Sequence, residues 1–342
     1  MAVSSSSHFN YLRSKMLFHL QFPITPLPEK FDHQNKIVMT GSCFAEEIGC
    51  LMERYKFPVQ LNPNGILYDP QSISEAVSSW LVPKAYSEKD LFFYNDTWNS
   101  LKHHGRFSHP DKSACLGRIN ASREKAHTQL KNAKWLVITF GSAWMYRHKA
   151  SNSIAANCHK LPARDFDKEL ADEAGLEKTY TDLFEKLRTF NPSLNILLTV
   201  SPVRYVRDGV VENNLSKAVL IKLVHSLVNA KNVFYFPAYE LVTDDLRDYR
   251  FFKEDLVHPN EPAINYVWEK FTAFAFDEHT MQLHEKVKEV VAAAHHRTLH
   301  PGTTAHRIFA EKMLDKCREL SVQFPFLDLE KEKIHFGNEA GR

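Results

Sequence analysis

The 342 residues suit one large domain with an appendage, and 44% hydrophobic with 25% charged residues lie near globular averages, which excludes wholesale disorder. Forty-three basic against 41 acidic residues leave a net charge of +2, so the chain offers no overall basic field for nucleic acid or an anionic membrane. The five cysteines (Cys43, Cys50, Cys115, Cys158 and Cys317) are odd in number and include no C-x-x-C pair, which argues against a disulfide framework and a cysteine zinc site.

Residues 1–15 read as a polar leader. The apolar stretch Met16-Leu17-Phe18-His19-Leu20 is too short for a signal-peptide core or a membrane span, so a cytoplasmic protein is expected. Phe22 to Pro28 is extended, because each proline disfavours helix in the residue before it. Lys36 to Thr40 predicts a strand, broken by Gly41-Ser42-Cys43. From Phe44 to Arg54 the pattern is helical, with Phe44, Ile48 and Leu51 on one face. Asn62-Pro63-Asn64-Gly65 marks a turn, followed by a polar and aromatic stretch through residue 112. A helix over 122–133 precedes a buried strand, Trp135 to Phe140, which Gly141 ends. A long amphipathic helix is predicted over 165–190. Strands follow at Ile196 to Val200 and Val233 to Phe236, separated by a helix over 214–229. After the His258-Pro259 turn comes a helix over 262–276, and residues 279–315 look mostly helical before a charged tail. Nearly all-apolar strands alternating with helices predict an α/β fold, a parallel sheet covered on both faces. The expected organisation is a main domain over 16–278 and a helical extension over 279–342.

In such sheets ligands bind beyond the carboxyl ends of the strands, which directs attention to Gly41-Ser42, Gly141-Ser142 and Ser201-Pro202. Ser42 stands between a strand and a helix, where first-turn N–H groups would face whatever its hydroxyl attacks. The same position also suits a plain helix N-cap. Asp255 lies three residues before His258 in a loop entering a helix. That spacing lets the carboxylate fix the imidazole tautomer while the other ring nitrogen faces a serine. Cys43 reads as a packing residue. His103-His104 could touch substrate or metal, but no acidic or cysteine cluster accompanies them, and no metal is expected. Trp98 and Trp144 could stack on sugars or simply fill a core. Arg204 and Arg207 could bind a substrate anion or pair with Asp208 or Glu212.

These segments resemble one family. Gly41-Ser42-Cys43-Phe44-Ala45, Asn62 to Tyr68, Phe140 to Trp144, Ala156 to Lys160, Ser201 to Arg204 and Asp255 to Pro259 occur in the order of the GSCFA family, a branch of the SGNH/GDSL hydrolases. The resemblance implies a flavodoxin-like three-layer α/β/α sandwich, Ser42 as nucleophile and Asp255 with His258 as its partners. It also implies oxyanion donors from the Ser42 N–H, a second-block glycine matched by Gly65, and a third-block asparagine. Here the third block reads Gly141-Ser142-Ala143, so Ser142 stands without that asparagine, and Asn64 or Asn157 would have to replace it. The expected activity is hydrolysis of an acyl ester without a cofactor. An O-acetyl group on a carbohydrate is the substrate suggested by fold analogy. The alternatives are an O-acyltransferase on the same triad and a glycan-binding scaffold.

Overall fold

A computed structural model describes residues 22–82, 84–296 and 299–341. The leader expected over 1–15 lies outside the described residues. Five parallel strands make the central sheet: β1 (Ile37–Gly41), β2 (Val59–Leu61), β3 (Trp135–Phe140), β4 (Asn195–Val200) and β5 (Val233–Tyr235). They lie in the order β2-β1-β3-β4-β5, the flavodoxin-like arrangement. β1 pairs with β2 through Ile37 and Val59 and with β3 through Ile37 and Trp135, so the strand order reverses at β1.

Every residue of β1, β3 and β4 is buried, because successive side chains enter two different cores. Leu136, Ile138 and Phe140 of β3 join one core, with α2 (Pro70–Leu81), α3 (Lys112–Lys131), α4 (Glu173–Phe190) and α5 (Val210–Leu227) packed over it. Trp135 and Val137 join the other, covered by α1 (Cys43–Arg54) and α6 (Glu261–Ala275). The result is a three-layer α/β/α sandwich with a mostly helical C-terminus.

Several expectations change. The helix expected over 165–190 begins only at Glu173, where Asp172 accepts the Gly175 N–H at 2.9 Å. Phe166–Leu170 instead forms a strand antiparallel to Trp144–His148, because edge pairing outweighs the helix propensity of Lys168 and Glu169. The helix expected over 122–133 starts ten residues earlier, at Lys112, capped by Asp111. The stretch before residue 112 contains α2, with Asp69 as its cap and Pro70 in its first turn. Among the described residues no helix is long and apolar enough to cross a membrane.

Three C-terminal helices, α7 (Glu278–His295), α8 (Thr304–Gln323) and α9 (Glu330–Ala340), share a core of their own. They meet the sandwich at the turn after α1, where Lys56 Nζ lies 2.8 Å from the largely buried Glu332 carboxylate. His284 of α7 packs edge-on to Tyr55, and the His33 Nε2–H donates to the Tyr55 carbonyl at 3.1 Å. Burial pulls both imidazoles down to about 4. The unfolded chain therefore binds protons that the folded chain refuses. Full stability is present above about pH 6.5 and is lost progressively as the pH falls toward 4. We expect the urea midpoint to drop between pH 7 and pH 5, each histidine contributing on the order of 1–2 kcal/mol. A variant carrying His33→Phe and His284→Phe should lose much less over the same interval. An unchanged pH dependence in that variant would refute the assignment.

Candidate active site

Gly41 closes β1 with φ +141°, and a Cβ there would lie 2.1 Å from the Thr139 carbonyl oxygen, so only glycine lets β1 and β3 stay paired at this point. The chain then turns into α1 with Ser42 as its N-cap, φ −70° and ψ 173°. A serine here ordinarily spends its hydroxyl on a first-turn N–H. This one makes no capping bond; Ser42 is 1% exposed, and its Oγ has no hydrogen-bond partner among the described residues. Buried hydroxyls without partners are uncommon and call for an explanation.

Ser42 borders a cavity of about 340 Å³ beyond the carboxyl ends of β1, β3 and β4, where the strand order reverses. Gly141, Ser142 and Ser201 line it from the ends of β3 and β4, and His258 lines it from the loop before α6. The His258 Nδ1–H donates to Asp255 Oδ2 at 2.7 Å. Asp255 Oδ1 accepts the backbone N–H groups of Val257 and His258 at 2.9 and 3.0 Å. These bonds, the backbone ones foremost, hold the Asp255 carboxyl down to about 2, so it stays ionised. Between the two residues Leu256 takes φ +55°, a left-handed conformation costly for a side chain of its size and one that closes this short turn. The loop is tied to the sheet end by the Arg204 N–H donating to the Val257 carbonyl at 3.2 Å.

The other candidates separate into two groups. Ser142, Trp144, Asn157 and Arg204 line the cavity. Asn157 Oδ1 accepts the His159 N–H at 2.8 Å. Ser142 accepts the Trp144 N–H at 3.1 Å, and Trp144 Nε1–H donates to the Glu212 carbonyl. Gly65, Asn64 and His104 are not among the cavity's lining. The Gly65 N–H donates to the Asn62 carbonyl at 2.7 Å. The Asn64 side chain bonds Trp80 Nε1–H and the Lys102 carbonyl, and His104 packs on Gly65. The Ser42 N–H likewise continues the sheet, donating to the Thr139 carbonyl at 3.1 Å. The expected oxyanion donors Gly65, Asn64 and the Ser42 N–H are thus engaged elsewhere. Among the described residues no backbone carbonyl accepts the Cys43 N–H in the first turn of α1. Among the described residues no group of three or more possible metal ligands exists.

Both thiols in the wall are raised, Cys43 and Cys158 chiefly by burial, the latter to about 11, so neither supplies a thiolate. Lys217 is the feature that sequence reasoning passed over. It is 1% exposed, and its ammonium donates to the Gly141 and Ser201 carbonyls, each at 2.7 Å. Burial pulls it down to about 7, an effect that nearby Cys43 partly offsets. Two neighbours on α5 do related work. Ser216 Oγ accepts the Ala143 N–H at 2.7 Å, and Asn213 Oδ1 accepts the Tyr205 N–H at 2.9 Å. One face of α5 thus satisfies the polar backbone of both loops that form the cavity floor. Counting the phase of that helix would have revealed it, since Asn213, Ser216 and Lys217 share spacing with the buried Leu220, Val224 and Leu227.

Comparison with known proteins agrees with the motif order. The family model described as "GSCFA family" matches residues 36–271, and that described as "GSCFA domain protein, C-terminal domain" matches 287–340. None of the curated proteins compared matches the chain. Among solved structures, the chain is similar to a family two carbohydrate esterase from Clostridium thermocellum, in complex with cellohexaose. That alignment has 13% identity and a TM-score of 0.31, and it covers 74% of this chain and 65% of the other. With a family model spanning the sheet, the serine turn and the Asp255–His258 loop, and a second on the helices that follow, the chain belongs to the GSCFA family.

Proposed function

We propose that the protein is a serine hydrolase of the SGNH type that cleaves an acyl ester. The observation that carries this reading is the unpartnered, buried Ser42 hydroxyl on a cavity it shares with an imidazole already oriented by a carboxylate. Asp255 binds Nδ1–H and leaves His258 Nε2 as the acceptor for the Ser42 proton. The alkoxide attacks the acyl carbon, and the leaving alcohol takes its proton from His258. The Cys43 N–H and the Asn157 amide are the groups best placed to hold the oxyanion, with Lys217 fixing the strand ends beneath them. Water, activated by the same imidazole, then releases the acyl group. The aromatic walls Tyr68, Trp144, Tyr146 and Tyr205 suit a sugar, which makes an O-acylated carbohydrate the favoured substrate.

A fluorophosphonate probe tests the reading, since only an activated serine reacts readily with it. Peptide mass spectrometry should place the adduct on Ser42, and His258→Ala should abolish it. Labelling that ignores His258, or that falls on another serine, would remove the basis for the triad.

A further inference from the structure

The charged groups that line the cavity are not equally committed. Beside His258, they are the Asp69 carboxylate and the Arg204 guanidinium. Asp69 is committed to the fold: it is 5% exposed, caps α2 by accepting the Ser72 N–H at 2.8 Å, and burial pushes its carboxyl up to about 6. Asp255 is consumed by His258 and two backbone N–H groups, while Glu46 and Glu47, whose charges reach Tyr68 and Cys43 in the wall, lie beside Arg106 (4.0 Å) and Lys253 (3.4 Å). Arg204 has no such commitment. Among the described residues no carboxylate or carbonyl pairs with its guanidinium, which instead lies over the rings of Phe252 (4.4 Å) and Tyr249 (5.0 Å). Ring contacts steady the plane of a guanidinium but use none of its five N–H donors. Its backbone N–H, bonded to Val257, fixes it relative to His258. A second guanidinium, Arg207, is close enough for its charge to act on Tyr146 and Cys158 in the cavity wall, while its neighbour Asp208 is taken by Lys168.

A planar cation held against aromatic faces beside a reactive centre, with its donors unspent, is the arrangement that receives a carboxylate or phosphate bidentately. We infer that Arg204 forms an anion subsite of the Ser42 cavity, and that the ester this enzyme takes carries a carboxylate or phosphate on its alcohol portion. The inference rests on the hydrolase reading for turnover, though not for binding. Applied to the aromatic walls, it selects an acylated acidic sugar over a neutral one.

The test compares 4-acetoxybenzoate and 4-acetoxyphenyl phosphate with the neutral 4-acetoxybenzamide. The wild-type protein should prefer an anionic ester by about tenfold or more in kcat/KM, and the preference should shrink as salt rises. Whichever anion gains more identifies carboxylate or phosphate. Arg204→Gln should reduce the anionic-to-neutral ratio to near one, the change falling on KM, and Arg204→Lys should restore part of it. A merely structural role would lower all three esters together and leave the ratio standing. Calorimetry with the unreactive 4-acetamidobenzoate and 4-acetamidobenzamide reads the subsite without turnover. Tighter binding of the carboxylate in the wild type, lost in Arg204→Gln, supports the subsite even if no ester is cleaved, an outcome that would overturn only the hydrolase reading. Esters cleaved with equal kcat/KM, or equal binding of the two amides, would overturn the subsite.

Discussion

Ser42→Ala is expected to lower turnover of p-nitrophenyl acetate by about 10⁴-fold or more while leaving the protein at least as stable as before. The two halves of that expectation share one cause. A hydroxyl that caps its helix would cost about 1 kcal/mol on removal, but Ser42 makes no such bond and is buried without a partner among the described residues. Deleting a buried, unsatisfied polar group relieves a desolvation penalty, so the urea midpoint should stay level or rise. Asp255→Asn supplies the companion measurement. It keeps the size of the side chain but lets the imidazole settle in the wrong tautomer, and kcat should fall by roughly 10²–10⁴. A Ser42→Ala protein that is clearly destabilised would show that the hydroxyl serves the fold, and retained turnover would show that another group performs the attack.

Gly41→Ala carries the largest expected effect on stability. The added methyl would sit 2.1 Å from the Thr139 carbonyl oxygen and 2.8 Å from its carbon, both rigid backbone, at a φ of +141° that side chains rarely adopt. Neither strand can yield without breaking the β1–β3 ladder or the bond from the Ser42 N–H to that same oxygen. We expect a loss above about 3 kcal/mol in urea unfolding, and turnover lost with it. Gly117→Ala is the control. It lies within α3, where a Cβ meets nothing within 4 Å, and there the same substitution should stabilise by about 0.5–1 kcal/mol. A cost under about 1 kcal/mol at Gly41 would mean that the strand ends are far softer than their packing implies.

The central strands were legible because a parallel sheet covered on both faces needs no alternation. Trp135–Phe140 reads as one apolar run and occupies those same residues as β3. What escaped lies where polar residues are buried or where pairing is decided at a distance. Helix α2 buries Ser72 and Ser74 beside Ile73, Val77 and Trp80, which blurs its stripe, although Asp69-Pro70 announces its start. β2 has only three residues, and Phe166–Leu170 is a strand only because Trp144–His148 lies alongside it. The Asp255–His258 pair was legible because three residues of one turn hold it, and Ser42 because a strand, a glycine and a helix frame it. Which of the expected donors are already bonded was not. Family order says which blocks belong to a site, whereas which N–H is free depends on every other acceptor, and the one on Gly65 goes to Asn62. Lys217 was hidden for a related reason: a lone lysine in a helix ordinarily reaches solvent, and two strand-end carbonyls hold this one inside.

The seat of the C-terminal helices has a mechanical consequence. Twelve residues of α1 separate the serine turn from Tyr55 and Lys56, a rod of roughly 18 Å with Ser42 at its front and the docking point of three helices at its rear. The cavity and the anchorage therefore occupy opposite ends of one helix, and among the described residues none of the appended helices lines the cavity. The Lys56–Glu332 clasp is thus joined to the Ser42 turn by the hydrogen-bonded backbone of a single helix.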